Sequence, residues 1–149
     1  MRVLTTGSRD WDRQDVVDGA LDILARAAAA AGDGELVVVH GACFPKPNPD
    51  GSMPLVSADW LVELWARRWQ SHPLTIRIER HPANWRKYGR RYAGRKRNQE
   101  MVDLGADLVL AFHRGGSSGT AHCVEAAEKA ELTTKVIDYD DIPEAVVSS

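Results

Sequence analysis

The chain is short of cysteine, of long apolar runs and of net charge, and each shortage removes a class of protein. Cys43 and Cys123 are its two cysteines in 149 residues, which is no disulfide framework and no zinc pattern. No set of His, Cys, Asp and Glu has metal-ligand spacing, so neither a metal nor a cofactor is expected. The apolar stretches fall far short of the ~20 residues that cross a bilayer. The opening MRVLTTG has no apolar leader core, so the expectation is a cytoplasmic protein with no membrane partner. No internal repeat is visible, and no low-complexity segment beyond the alanine run Ala27–Ala31. Lys and Arg total 19 against 21 Asp and Glu, for a net charge of −2. That balance excludes a histone-like tail.

What is present is ordinary globular material, 44% hydrophobic and 27% charged with 12 Gly and 7 Pro, suited to one domain with one core. The near-neutral average hides an asymmetry. Residues 80–97, RHPANWRKYGRRYAGRKR, hold eight of the 19 bases and no acid. One concentrated basic segment in an otherwise acidic chain points to a local anionic partner, a nucleotide or a nucleic acid. Trp60, Trp65 and Trp69 fall at helical spacing and read as packing residues.

Strand and helix signals alternate. Arg2–Thr6 is a short β-rich run broken at Gly7-Ser8-Arg9-Asp10. Asp12 offers an N-cap to a helix with Val16, Ala20, Ile23, Leu24, Ala27 and Ala31 at helical spacing. Gly32-Asp33-Gly34 ends it. Leu36–Val39 is continuously apolar, as in a strand buried on both faces. A long loop, Gly41–Val56, carries Pro45, Pro47, Pro49 and Pro54. Ser57 then caps a second helix. Leu74–Ile78 is a third strand, followed by a basic loop and a short helix around Lys96–Leu104. Ala106–Phe112 is a fourth strand, Gly115–Gly119 opens a helix to about Ala130, and Lys135–Ile137 is a fifth strand. Five alternations predict a single three-layer α/β domain with a mainly parallel five-stranded sheet, Rossmann-like, in strand order near 3-2-1-4-5. Ligands of such sheets bind beyond the strand carboxyl ends, where the order reverses.

Three segments there can do chemistry. HRGGSSGT (His113–Thr120) joins a buried strand to a helix. Its glycines let backbone N–H groups approach an anion, and the first helical turn offers unpaired donors and a positive dipole end. Ser117, Ser118 and Thr120 add hydroxyls. The segment is neither a Walker A loop nor a GxGxxG fingerprint; a flexible strand–helix turn is the plain alternative. In TTGSRDW (Thr5–Trp11), Gly7 and Ser8 can form a second anion-binding turn and Arg9 can pair with phosphate, or the segment is an ordinary surface turn. His40 and Gly41 end the second strand; His40 can serve as acid or base or as a hydrogen-bonded packing residue. Asp59 can hold a ribose hydroxyl, assist a water or complement its helix dipole. The basic segment can lean into this site or form a strip for nucleic-acid phosphates, with Trp85, Tyr88 and Tyr92 as stacking faces.

Taken in order, TTGSRDW, VVHGAC, SADWLVELWA, HPANWRKYGRRYAGRKRNQEMVDLGADLVLAF and GSSGTAHCVEAAEKA resemble the YspA, cpYpsA-related SLOG family over roughly residues 1–138, leaving 139–149 as a C-terminal tail. Its superfamily includes the Lonely Guy phosphoribohydrolases and the DNA-processing protein DprA. The resemblance implies an actinobacterial or phage protein, a homodimer, and a nucleotide-derived, ADP-ribose-like ligand; the second helix presents Trp60 off its main apolar face, which adds to the expectation of a homodimer. It also implies that Arg97 and Asn98, the family's RN pair, face the cleft with Gly41. Two departures stand out. Lonely Guy enzymes carry PGGxGTxxE, and aligning Gly115-Gly116 through Gly119-Thr120 puts Cys123 where the catalytic glutamate belongs. Glu125 lies about 200° around the helix from that position. The second departure is FPKPNPDGSMPLV, a proline-rich insertion at 44–56 that suits a lid or a subunit contact.

The resulting expectation is a nucleotide-derived ligand held by Gly115, Gly116, Ser117, Ser118, Gly119 and Thr120, opposite Gly7, Ser8 and Arg9, with Asp59 at the ribose or activating a water for hydrolysis. A sensor or sponge without turnover, and a single-stranded nucleic-acid binder using residues 80–97, are the alternatives.

Overall fold

The structure, a computed structural model, describes residues 1–32, 34–69 and 74–144. Asp33 of the expected helix stop and residues 145–149 of the expected tail lie outside them. Five strands, β1 (Arg2–Gly7), β2 (Glu35–His40), β3 (Thr75–Arg80), β4 (Leu108–His113) and β5 (Thr134–Asp138), form one sheet. Its order is β3-β2-β1-β4-β5, and every neighbouring pair is parallel. The chain reverses its direction of travel between β1 and β4, so the strand-end crevice opens there.

Alternation along the strands builds two cores. Val3, Leu36, Val38, Leu110 and Phe112 face α1 (Gln14–Ala30) and α2 (Ala58–Arg68). Leu4, Val39 and Val109 face α3 (Trp85–Asp103) and α4 (Ser118–Lys129). Both faces of the sheet are covered, which is why its central strands read as unbroken apolar runs.

Several local expectations are corrected. The buried stripe of α1 is Val17, Leu21, Ala25 and Ala28, and Ile23 is 66% exposed. The helix is apolar over so much of its circumference that a 3.6-residue period fits two adjacent phases. Asp12 is not its cap: Arg13 holds that position, and the Asp12 carboxylate accepts from the Tyr139 hydroxyl at 2.8 Å. Ser57 precedes α2 without capping it; its hydroxyl donates to the Cys43 carbonyl. The basic segment is helical from Trp85, not a loop with a short helix at Lys96–Leu104. Asn84 caps it by accepting from the Lys87 N–H at 3.0 Å, and a break at Gly89 (φ 74°) re-aims the remainder. The domain does not stop at 138. Tyr139 packs edge-on against Trp11 at 5.3 Å, and Tyr139 and Ile142 cover the first core. Trp60 is 7% exposed, beneath Phe44 and the Arg67 guanidinium, so it offers no free surface to a second copy.

The strand ends are tied by a carboxylate. Glu63 of α2 has a fully buried side chain. It accepts from His40 Nε2 at 2.9 Å, from Arg80 Nη2 at 2.6 Å and from Arg67 Nε at 2.9 Å, joining β2, β3 and α2. The Ala42 N–H donates to His40 Nδ1 at 3.0 Å, so the proton sits on Nε2 and His40 is a packing residue. Burial pushes the Glu63 carboxyl up, but the bonds from Arg80, Arg67 and His40 outweigh it and hold it at about 2.

Two predictions follow from this packing. An added Cβ at Gly7 would collide with the Ala58 Cβ and stand 2.9 Å from the Phe112 carbonyl oxygen. Gly7→Ala is expected to cost about 1–3 kcal/mol in urea denaturation, with partial recovery in the Gly7→Ala, Ala58→Gly double variant. Because the Glu63 value is depressed, its stabilisation is complete above the ordinary carboxylate range and is lost as pH falls toward 2. Glu63→Gln is therefore expected to be less stable than the parent at pH 7, with the gap closing as pH falls from about 4.5 to about 2. A gap constant across that range contradicts the assignment.

Candidate functional site

The carboxyl ends of β1, β2 and β4 open into a cleft of about 710 Å³. All thirteen residues singled out in the sequence line it: Gly7, Ser8 and Arg9 after β1; Gly41 after β2; Asp59 in α2; Arg97 and Asn98 in α3; and Gly115 through Thr120 before and within α4. Two turns meet at the reversal point. Ser8 Oγ accepts from the Arg114 N–H at 2.8 Å, and the Ser8 N–H donates to the Phe112 carbonyl at 2.9 Å, so the β1 and β4 loops hold each other. Ser117 caps α4 and its hydroxyl pairs with that of Thr120 at 2.9 Å. The N–H groups of Ser118 and Gly119, in the first turn, have no intrahelical acceptor. A Cβ at Gly116 or Gly119 would meet no atom within 4 Å, so these backbones present bare amide surface to the cleft.

Asp59 lies on the floor, 6% exposed. Its Oδ2 accepts from the Cys43 N–H at 3.0 Å. Burial pushes its carboxyl above the usual carboxylate range, with the Cys43 amide and Arg97 opposing. A buried carboxyl with a raised pKa at the base of a cleft marks a candidate functional group.

Arg97 lines the cleft and also braces it. Its Nη1 donates to the carbonyls of Gly41 at 2.5 Å and His81 at 3.2 Å, and its Nε donates to Asn98 Oδ1 at 2.9 Å. A Cβ at residue 41 would overlap the guanidinium, which is why glycine stands there. Asn98 passes the connection on, donating to the Gly119 carbonyl at 3.2 Å. The RN pair thus clamps β2, the β3 exit and α4 around the cleft.

The sequence left open whether the basic segment leans into this site or lies along the surface, and did not single out the arginines that form the upper wall. Arg90, Arg91, Gly94 and Arg95, together with Trp85, line the cleft from α3. Among the described residues none of these three arginines has an ion-pair partner. The Trp85 ring folds back to 3.4 Å from a Cβ placed on Gly94, and the Arg9 guanidinium lies 5.8 Å from its centre. Arg114 also lines the cleft, but it stacks on Tyr139 at 4.0 Å and donates to the Asp10 carbonyl. The available signal was the 3–4 spacing of 90/91, 94/95, 97/98 and 101, which marks one helical face.

Cys123, which the resemblance aligns with the Lonely Guy glutamate, is fully buried in the second core, and burial raises its thiol to about 11. Glu125 points to solvent and pairs with Lys129 at 3.0 Å. Among the described residues no cluster of three or more His, Cys, Asp and Glu can hold a metal ion, and no helix is long and apolar enough to cross a membrane.

Over 143 residues the chain is 39% identical to the Gene 61 protein of Mycobacterium phage D29, covering 95% of this chain and 98% of that one. The chain belongs to the Gene 61 protein family. No family model matches it, and no solved structure matches it.

The clamp generates a prediction that separates Arg97 from its neighbours. In this chain, Arg97→Ala is expected to lower unfolding free energy by about 1.5–3 kcal/mol through loss of charge-assisted bonds. Arg91→Ala and Arg95→Ala, on the exposed wall, are expected to stay within about 0.5 kcal/mol of the parent. Urea denaturation of the three variants is the measurement.

Proposed function

We propose that this Gene 61 family protein binds a nucleotide or nucleotide-derived, ADP-ribose-like ligand in the strand-end cleft, as its resemblance to the SLOG family implies. One observation carries the reading: six arginines and an amide-lined glycine turn converge on a single cleft whose described lining includes two carboxylates, Asp10 and Asp59. That excess of positive charge is suited to phosphates. The bare amides of Gly116 and Gly119 and the first turn of α4 hold one phosphate. Arg90, Arg91 and Arg95, which have no ion-pair partner among the described residues, neutralise the rest. Asp59 hydrogen-bonds a ribose hydroxyl. If the bound ligand is hydrolysed, the raised carboxyl of Asp59 is the group that serves the water.

The second reading, a single-stranded nucleic-acid binder, draws on Arg86, Lys87 and Lys96, which lie on α3 outside the cleft lining. The two readings diverge in a mutation series followed by calorimetry with ADP and ADP-ribose. Gly119→Val is expected to abolish binding with the fold retained, since a side chain there fills the phosphate position. Arg95→Ala is expected to cost about 1.5–3 kcal/mol, roughly tenfold to over a hundredfold in affinity. Arg86→Ala is expected to be neutral. Equal modest losses at Arg86, Arg90, Arg91 and Arg95, each flattening the salt slope on oligonucleotides by about one unit, favour the nucleic-acid reading instead.

A further inference from the structure

Beside the cleft lies a second cavity of about 490 Å³. Arg9, Gly41, Cys43 and Trp85 line both, so the two share a boundary, and the character of the wall changes across it. The cleft is walled by arginines and backbone amides. The annex is walled by Phe44 and Pro45 of the insertion, Pro82 and Ala83 of the β3–α3 connection, and Trp85. Its charged groups are Arg9 at the boundary and Lys46. Phe44 is held in place: it meets Trp60 edge-on at 5.1 Å and His40 at 5.6 Å, yet remains 37% exposed. A phenyl ring fixed from behind and open in front is a preformed apolar surface. Trp85, at 40% exposed, presents another on the boundary.

We infer that the annex is a base subsite: the insertion at 44–56 takes the planar heterocycle of the ligand between apolar walls while the cleft takes its phosphates. The inference rests on the nucleotide reading above and deepens it, because it assigns ligand choice to a segment separate from the anion-binding turn. A phosphorylated sugar without a base leaves Phe44, Pro82 and Trp85 unsatisfied, so the protein discriminates for nucleotides over sugar phosphates. Aromatic rings favour heterocycles by stacking, and each such contact is a substantial fraction of the affinity of a small ligand.

The test is calorimetry with ADP, ribose 5-phosphate and pyrophosphate on the full chain and three variants. Ala83→Phe fills the annex and leaves residue 44 unchanged. Phe44→Leu keeps the apolar packing on Trp60 but removes the ring. Gly119→Val blocks the phosphate turn. ADP is expected to bind the parent at least about tenfold tighter than ribose 5-phosphate, and Ala83→Phe and Phe44→Leu are each expected to weaken ADP about tenfold. Both variants leave ribose 5-phosphate and pyrophosphate within about twofold of the parent. ADP binding that is lost in Gly119→Val but unchanged in Ala83→Phe overturns the annex alone. So does an equal loss for ADP and ribose 5-phosphate. No binding of any probe to the parent, or ADP binding indifferent to Gly119→Val, overturns the nucleotide reading and the annex with it. Should Phe44→Leu fail to fold by thermal melting, Ala83→Phe still decides between these outcomes.

Discussion

A carboxylate with no access to water sets the shape of the strand ends. An isolated charge in that position is costly, and breaking a buried ion pair from one side is expected to cost about 3–5 kcal/mol. Glu63 therefore requires Arg80, Arg67 and His40 together. Once His40 is held by its Nε2, its other nitrogen takes the Ala42 N–H, and the chain after β2 has one course. That course carries the Cys43 N–H to Asp59 and the Gly41 carbonyl to Arg97. Two residues on the cleft floor are thus positioned by a pair that never touches the cleft.

The upper wall obeys a different rule. Helix α3 buries Ala93, Asn98, Met101 and Val102, and its residues nearer the N-terminus turn toward the cleft. A helix facing a polar cleft has no need of an apolar stripe, and this one places Arg90, Arg91 and Arg95 there. Arginine suits the position because its long stem packs while its planar head stays available for bidentate contacts. The break at Gly89 lets the first turn, with Trp85, fold back over Gly94. A continuous helix would carry that ring away from its later turns.

Much of this was legible in the residues. The order of strands, the parallel sheet and the reversal point all come from alternation of short apolar runs with amphipathic ones, a signal that tertiary context reinforces. The thirteen candidate residues share the cleft because the topology sends the exits of β1, β2 and β4 there, and the helices that carry Asp59, Arg97 and Asn98 pack beside those exits. Four things were hidden. The basic helix was masked by the absence of apolar period, since its partner over several turns is the cleft and not the core. The phase of α1 was masked by excess alanine, which fits either of two faces. The role of Arg97 was masked because a guanidinium that braces backbone carbonyls and one that waits for phosphate are the same letter in a sequence. Only the positions of the Gly41 and His81 carbonyls separate them. Glu63 carried no signal at all: a lone acid in an amphipathic helix reads as solvent-facing until Arg80 is brought to it from 17 residues away.

The distribution of tryptophan has an optical consequence. Trp11, Trp60 and Trp65 are at most 7% exposed, and Trp85 is 40% exposed on the boundary of the two cavities. Indole emission shifts with the polarity around the ring and is quenched by stacked heterocycles. The molecule therefore contains an intrinsic fluorophore at its mouth against a background of three sheltered from solvent and a fourth, Trp69, half-buried and stacked on Trp65. Whatever enters the crevice changes the light of one indole, and the buried three supply an internal reference for the integrity of the fold.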